Sequence, residues 1–246
     1  MSKSARAWIG TSGWEYKHWS KRFYPTDIAP KEHLPFYARH FCTTEINNSF
    51  YKLPSVETYE KWASEVNPDF LFSVKASRYL THMKKLKDAD DPWHRIAGTS
   101  SALKDKLGPI LLQFPANWKK NTERLSEFLN IAFADKATPM LAFEFRDESW
   151  FEKDIIKLLE EFNCALCIVD SPDFVRKEII TASFTYIRYH GRQTLYASKY
   201  TSRQLHVEAA KISKWLEKTT TVFAYFNNDA QAFAVKNAQE LNDLLS

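Results

Sequence analysis

Glycine is scarce in this chain, and its scarcity excludes several ways of binding a nucleotide. Only 5 glycines occur among 246 residues. The sequence has no G-x-G-x-x-G fingerprint and no P-loop, because both need clustered glycines. It also lacks the H-E-x-x-H signature of zinc peptidases and the G-x-S-x-G turn of α/β-hydrolases. We therefore expect no redox nucleotide cofactor and none of these catalytic centres.

Cysteine and long apolar runs are also rare. The 3 cysteines are an odd number, and the sequence shows no signal peptide, so we expect a reducing, cytoplasmic location. Cys164 and Cys167 have C-x-x-C spacing but lie in a predicted strand, where residues three apart point to opposite faces. No apolar run reaches the roughly 18 residues that a membrane span needs, so no membrane partner is expected.

Charge and aromatic content narrow the class of ligand. The formal net charge of +4 is compatible with an anionic substrate, but it is too small to indicate nucleic acid by itself. Aromatic residues make up 15% of the chain and can fill a core or stack on sugars and bases. A nucleic-acid partner therefore stays possible, and the composition leaves the oligomeric state open.

Apolar, β-rich segments alternate with amphipathic segments along the whole chain. This alternation is typical of β/α units, and its repeat number favours a TIM-type (β/α)8 barrel formed by one domain over residues 1–246. After the sixth strand the helical periodicity is weak, so that helix is expected to be short or missing. The predicted strands are 7–13, 43–50, 70–76, 109–114, 140–145, 165–170, 184–190 and 222–227.

Several helix starts carry capping signals. Ser55 precedes a helical segment, and Asn121 or Thr122 opens another. The segment SWFE at 149–152 has the spacing of a capping box in front of a further helix.

Polar residues follow the predicted strands at their C-terminal ends, where barrel enzymes carry their active sites. Ile46 is expected to face the helices, so Glu45 and Asn47 face the barrel interior. The same alternation turns Ser73 and Lys75 inward on the third strand. By the same reasoning Gln113, Glu144, Arg146, Arg188 and His190 also face inward; Asp170 is in phase with Leu166 and Ile168, and Asn227 is in phase with Tyr225. The loops above add His82, Tyr200 and Asp229.

These residues allow more than one interpretation. Three acids (Glu45, Glu144, Asp170) and three bases (Lys75, Arg146, Arg188) could form a structural network of ion pairs. A converging buried charge cluster also indicates a binding or catalytic pocket. A divalent metal is possible as well, although three cations nearby would oppose it, and no metal ligands are assigned.

The sequence contains a series of specific motifs, and they run through nearly its whole length. They are IGTSGWEYKHW, TEINNSFY, LGPILLQFP, FEFRDESW, YIRYHG and YFNND. With them the chain resembles the YecE-like family, also called domain of unknown function 72. The resemblance implies a TIM-type barrel and no particular activity. Asp147 and Ala116 depart from the family pattern, as does the segment DAQAF, so the resemblance implies no role for the residues beside Arg146 and Asp229.

The functional hypothesis is an enzyme with acid/base chemistry of the hydrolase or lyase type, acting on a small anionic or sugar-like substrate. Glu144 is expected to be the general base or nucleophile, with Glu45 or Asp170 as the second carboxylate. Lys75 would stabilise charge or form a Schiff base. Arg146, Arg188 and His190 would hold an anionic group, and the other expected substrate contacts are Asn47, His82, Gln113, Tyr200, Asn227 and Asp229. The alternatives are a metal-dependent phosphodiesterase or nucleic-acid-processing barrel and a non-catalytic ligand-binding protein.

Overall fold

A nearly closed parallel barrel organises the chain. The computed structural model describes residues 5–134 and 139–246. All strand pairs are parallel, in the order β6-β5-β4-β3-β2-β1-β9-β8-β7. The strands are β1 (Arg6–Ser12), β2 (Thr43–Ile46), β3 (Leu71–Lys75), β4 (Leu107–Gln113), β5 (Leu141–Glu144), β6 (Ala165–Leu166), β7 (Ile168–Asp170), β8 (Phe184–Tyr189) and β9 (Thr221–Phe226).

The predicted sixth strand is divided into two pieces. Cys167 separates β6 from β7, and each piece pairs with a different neighbouring strand. Ala165 and Leu166 pair with β5, whereas Ile168 to Asp170 pair with β8. The eight predicted strands therefore appear as nine, and the prediction of a single TIM-type barrel is confirmed for the part of the chain that the structure describes.

Helices surround this barrel. They are α1 (His33–Tyr37), α2 (Val56–Ser64), α3 (Asp90–Ser100), α4 (Thr122–Ala132), α5 (Lys153–Glu161), α6 (Ser202–Leu216) and α7 (Phe233–Leu245). The segment 171–183, between β7 and β8, contains no helix, which confirms the prediction that the helix after the sixth predicted strand is short or missing. Among the described residues no helix combines the length and apolar character that crossing a membrane requires.

Capping explains where some helices start. Ser55 accepts a hydrogen bond from the backbone N–H of Thr58, and Asn121 accepts one from Arg124, so both predicted caps are confirmed. The prediction of a capping box at 149–152 is wrong. Residues Glu148–Phe151 form a 3-10 turn in which Ser149 bonds Asp147, and α5 starts after Glu152 without a side-chain cap.

The core has two layers because successive strand residues point to opposite faces of the sheet. Outward-facing residues such as Ile46, Val74 and Leu112 pack under the helices. A smaller cluster fills the lower barrel interior with residues from the intervening positions. Its members are Leu111, Ala142, Ala165, Cys167, Val169, Phe184, Tyr186, Phe223 and Tyr225.

This apolar interior forms the floor beneath the polar strand ends. Two of its tyrosines carry their hydroxyl groups into polar surroundings. Tyr186 donates to Glu45 at 2.7 Å, and the Tyr225 hydroxyl lies 2.7 Å from Ser73 Oγ. The same side chains thus fill the core and orient the residues of the layer above.

Candidate functional site

Arg188 is the centre of the polar layer at the C-terminal end of the barrel. Its side chain is 1% exposed, and its guanidinium bridges two carboxylates from different strands. Nη2 donates to Glu45 Oε1 at 2.8 Å, and Nη1 donates to Glu144 Oε2 at 2.7 Å. Gln113 Oε1 lies 3.5 Å from Nη1. These four residues therefore lie on one inward-facing surface, as strand alternation predicts.

Each carboxylate has further hydrogen-bond donors. Ser12 Oγ donates to Glu45 Oε1 at 2.8 Å, while Tyr186 donates to the other oxygen. Glu144 Oε1 accepts from Arg146, whose Nε and Nη2 both lie at 2.9 Å. Both carboxylates are fully buried, so these bonds provide the compensation that buried charge requires.

The protonation state of Glu144 follows from its two arginine partners. Burial alone would raise the pKa of this carboxyl. The charges of Arg188 and Arg146 outweigh burial and hold the pKa of Glu144 well below its ordinary value of 4.5. Glu144 is therefore ionised throughout the neutral range, and its lowered pKa makes it a weak base.

Lys75, at the end of β3, differs from Arg146 and Arg188 in its pKa and in its contacts. Burial, together with the charge of Arg188, lowers the pKa of Lys75 from 10.5 to about 7. Its Nζ lies 4.2 Å from the ring centroid of Phe50. Within residues 5–134 and 139–246 the ammonium has no hydrogen bond and no ion pair. The inward-facing cluster thus contains a lysine whose ammonium pairs with no carboxylate among the described residues.

Two neutral histidines lie at the edge of the cluster. Burial and the charge of Lys75 lower the pKa of His82 to about 4. Burial and the charge of Arg188 lower the pKa of His190 to about 3. Asn227 Nδ2 contacts His190 Nδ1 at 3.2 Å, which leaves the other ring nitrogen for a different partner.

Some buried polar atoms of this region have no hydrogen-bond partner among the described residues. They include His190 Nε2 and Asn47 Oδ1. The Asn47 amide nitrogen contacts the Ser12 carbonyl at 3.2 Å, so the side chain is held while its oxygen is unpaired. Unpaired buried polar atoms are rare in proteins and are commonly explained by a ligand or an ordered water.

Asp170 and Tyr200 do not join this layer. Asp170 is indeed in phase with Leu166 and Ile168, but those residues face the helices, so its carboxylate points outward. It pairs with Arg176 and Arg192 and accepts from the Tyr200 hydroxyl at 2.9 Å. The expectation that Asp170 lies beside Glu45 and Glu144 is thus wrong, because its carboxylate is on the outer side of the barrel wall.

Asp229 lies at a separate place on the rim. Trp19 Nε1 donates to its carboxylate at 2.6 Å, and His18 Nε2 lies 2.8 Å from the other carboxylate oxygen. Burial raises the pKa of Asp229 to about 6, against the opposing effects of Trp19 and His18. The contact ties the loop after β1 to the loop after β9.

Sequence reasoning missed several partners in these clusters. Tyr186 could have been found, because it lies two residues before Arg188 on the same strand face. Ser12 pairs in register with Glu45 but has no distinctive sequence signal. Arg176 and Glu208 come from segments whose proximity depends on the tertiary fold.

Within the described residues, Arg188 lies neither at a cluster of metal ligands nor in the wall of a cavity of about 710 Å³. Among the described residues, no group of three or more His, Cys, Asp and Glu residues is arranged to hold a metal ion. That cavity is lined by residues that follow β2 and β3 and by α3, and Phe50 is part of its wall. Phe50 also contacts Lys75, so this cavity adjoins the polar layer.

The parallel barrel and the buried polar cluster at its C-terminal end define an α/β-barrel protein with a candidate ligand site in the usual place for this architecture. The family model described as "Protein of unknown function DUF72" matches residues 8–246. The chain therefore belongs to the DUF72 family, as the motif resemblance predicted.

Individual relatives agree with this assignment. A DUF72 family protein from Thermotoga maritima has 25% identity and a TM-score of 0.86, and the match covers 97% of this chain and 98% of that one. One from Enterococcus faecalis has 18% identity and a TM-score of 0.84 over 98% and 95% of the two chains, which shows the fold. UPF0759 protein YecE of Escherichia coli K12 is 29% identical over 111 residues, which are 45% of this chain and 38% of YecE.

Proposed function

We propose that this chain is an acid/base enzyme of the hydrolase or lyase type that binds a small anionic or sugar-like substrate at the C-terminal end of the barrel. The observation that carries the proposal is the ammonium of Lys75, which lies beside the two arginines of a buried cluster and has no hydrogen bond or ion pair in the described part of the chain. Arg188, Arg146 and the protonated form of Lys75 provide three positive charges, whereas Glu45 and Glu144 provide two carboxylates. An anionic substrate group would balance this excess of positive charge.

Lys75 is the proposed proton-transfer residue. An amine with a pKa of about 7 exists in both protonation states near neutral pH, which suits a general acid or base. In contrast, His82 and His190 have pKa values of about 4 and about 3, so both are neutral at pH 7. We assign Lys75 the role that the sequence suggested for Glu144.

Arg146 is proposed to bind the substrate anion, and Glu144 is proposed to orient Arg146. Glu144 accepts a hydrogen bond from Arg146 Nε and forms an ion pair with Nη2 at 2.9 Å, and this fixes the partly exposed guanidinium after β5. A fixed guanidinium can bind a carboxylate or phosphate through two parallel hydrogen bonds. The unpaired atoms His190 Nε2 and Asn47 Oδ1 would contact polar groups of the same ligand.

The proposal is tested in two stages. A thermal-shift screen of phosphorylated sugars, sugar acids and nucleotides finds ligands, because ligand binding to the folded state raises its apparent stability. Each ligand that binds is then incubated with the protein, and NMR measures its conversion. We expect Lys75→Met to reduce turnover by at least about 100-fold, the lower end of typical general acid–base contributions.

Lys218→Met is the matched control. Lys218 is exposed and lies just before β9, at the opposite end of the barrel, so the same chemical change there should leave turnover unchanged. Equal turnover by Lys75→Met and the unmodified chain would refute the assignment of Lys75. Recovery of every tight ligand unchanged would instead identify a non-catalytic binding protein.

A further inference from the structure

The cavity beside the polar layer has walls from three parts of the chain. They are the turn after β2, the segment after β3, and α3. Its volume of about 710 Å³ lies within the range of small-molecule binding sites. The lining residues are Phe50, Tyr51, Leu53, Ser77, Arg78, Tyr79, Met83, Lys84, Asp88, Asp91, Pro92, Arg95 and Ile96. We call this cavity the lateral groove.

Large apolar side chains are unusually exposed along the lateral groove. Tyr51 is 81% exposed, Met83 is 67% exposed and Tyr79 is 48% exposed. All three line the same cavity. Contiguous exposed apolar surface in a soluble domain commonly marks a binding site, and tyrosine rings in particular provide flat surfaces for stacking.

The groove also carries unpaired positive charge. Lys84 is paired with Asp88 at 3.0 Å, but among the residues that the structure describes the guanidiniums of Arg78 and Arg95 have no hydrogen bond or ion pair. Both are exposed. Unpaired guanidinium groups beside tyrosine rings can stack on a planar ring or contact an anionic group.

The backbone at the rim of the groove is unusual. Residues Tyr79–Met83 form a π-helical turn, a feature frequently found at functional sites. Immediately after it, Lys85, Leu86 and Asp88 adopt positive φ angles of 50°, 63° and 48°. Non-glycine residues with positive φ carry conformational strain, and such residues tend to concentrate at ligand sites.

The π-helical turn connects the groove to the polar layer. Tyr79 and Met83 line the groove, whereas the His82 ring packs edge-to-face on Phe50 with 4.9 Å between centroids. Tyr51 also borders a second cavity of about 260 Å³, whose wall includes Asn47. Phe50, which contacts Lys75, and Tyr51, which shares a cavity with Asn47, therefore belong both to the wall of the groove and to the border of the polar layer.

We propose that the lateral groove binds a planar aromatic ring of the substrate, while the substrate's anionic group lies at Lys75 and Arg146. This inference rests on the proposed function and extends it to a substrate class, the ring-bearing phosphates or carboxylates. Tyr51 and Tyr79 provide the stacking surfaces, and Arg78 and Arg95 complement a polar ring edge or a further negative charge.

Four probes separate the two ends of such a ligand. Inorganic phosphate tests the anion site alone, adenosine tests the ring site alone, and adenosine 5′-monophosphate and phenyl phosphate test both together. Affinities are measured by calorimetry. We expect both ring-bearing phosphates to bind at least about tenfold more tightly than inorganic phosphate, from the energy of stacking one ring. Their relative affinities distinguish a nucleotide from a simple aryl substrate.

Tyr51→Ala tests the groove directly, because this exposed side chain can be removed with little risk to folding. We expect the variant to weaken adenosine and both ring-bearing phosphates by about tenfold and to leave inorganic phosphate unchanged. Tyr51→Phe, which keeps the ring, should restore affinity. Val207→Ala, a change at an exposed position on α6, is the matched control.

The outcomes separate this inference from the proposed function. Ring-bearing ligands that bind equally well to Tyr51→Ala and the unmodified chain, or no better than phosphate, would overturn the groove assignment. If Tyr51→Ala weakens adenosine but Lys75→Met changes no phosphate affinity and no turnover is found, the groove assignment holds and the proposed function fails.

Discussion

Arg188 and Glu144 meet across the barrel interior at 2.7 Å, from strands that are not neighbours in the sheet. The same guanidinium reaches Glu45 on a third strand. One buried cation thus connects β2, β5 and β8, and this connection is the basis of our first prediction.

Arg188→Met should strongly destabilise the protein, because it leaves Glu45 and Glu144 buried without their shared cation. Removing one partner of a buried ion pair typically costs about 3–5 kcal/mol in the free energy of unfolding. Urea denaturation measures the change. Lys61→Met, which removes an exposed partner of Glu65, should change stability by less than about 0.5 kcal/mol. Similar losses in the two variants would contradict the central role of Arg188.

Lys75 should react as an amine of unusually low pKa. Its pKa is lowered by burial to about 7, so a much larger fraction is unprotonated at neutral pH than for an ordinary lysine. Mass spectrometry after brief treatment with an amine acylating reagent should show Lys75 modified with an apparent pKa near 7. Lys218 should follow ordinary lysine behaviour, and a Lys75 profile that matches it would refute the prediction.

The lowered pKa of Lys75 also gives a sign for the dependence of stability on pH. Between pH 7 and 10.5 the unfolded chain binds the proton that the folded chain releases. The contribution of Lys75 to the free energy of unfolding therefore rises with pH in this window. Lys75→Met should be more stable than the unmodified chain at pH 7, and denaturation at several pH values should show the difference shrinking towards pH 10.5.

The contribution of Asp229 to the free energy of unfolding should fall as the pH rises, which is opposite to that of Lys75 and occurs at lower pH. Its folded-state pKa of about 6 lies above its ordinary value of 3.8, so the folded chain binds the extra proton between these values. Its contribution to stability is present at low pH and is lost as the pH rises from about 4 to about 6. In Asp229→Asn the melting temperature should therefore depend less on pH between about 4 and about 6 than in the unmodified chain, and thermal melts across that range measure the difference. An unchanged slope would contradict the raised pKa.

Arg176 should hold the helix-free segment 171–183 against the barrel. It pairs with Asp170 at the end of β7 and with Glu208 on α6, both of which are buried. In Arg176→Ala we expect backbone amides of 171–183 to exchange faster with deuterium, while the remaining barrel keeps its protection. Val175→Ala changes the exposed neighbouring side chain and should leave exchange unaltered.

The polar layer was predictable because strand alternation is a local property. The apolar neighbours of Glu45, Lys75 and Glu144 fixed which way each side chain points, and these strands are regular enough to preserve the phase. The same reasoning assigned the right phase to Asp170. Asp170 lies outside the layer because it shares the outward phase of Leu166 and Ile168, whereas Cys167 and Val169 occupy the interior.

Features that depend on contacts between distant segments could not be predicted in this way. Arg176 lies in a segment without periodicity, and its partner Glu208 is 32 residues further along. The lateral groove combines a turn, a π-helical turn and one face of α3, none of which shows its neighbours in the sequence. Protonation states likewise depend on burial and on neighbouring charge, so the roles of Glu144 and Lys75 could be separated only in the folded chain.

The break at Cys167 gives the barrel a seam. β5 and β6 share two register pairs, and β7 and β8 share three, whereas β8 and β9 share six. No helix covers this sector between β7 and β8, and a small cavity of about 110 Å³ lined by Cys167, Val169 and Arg146 lies against it. Local opening of the strand pairing should therefore start here, and it would displace Arg146 before it affected the rest of the barrel.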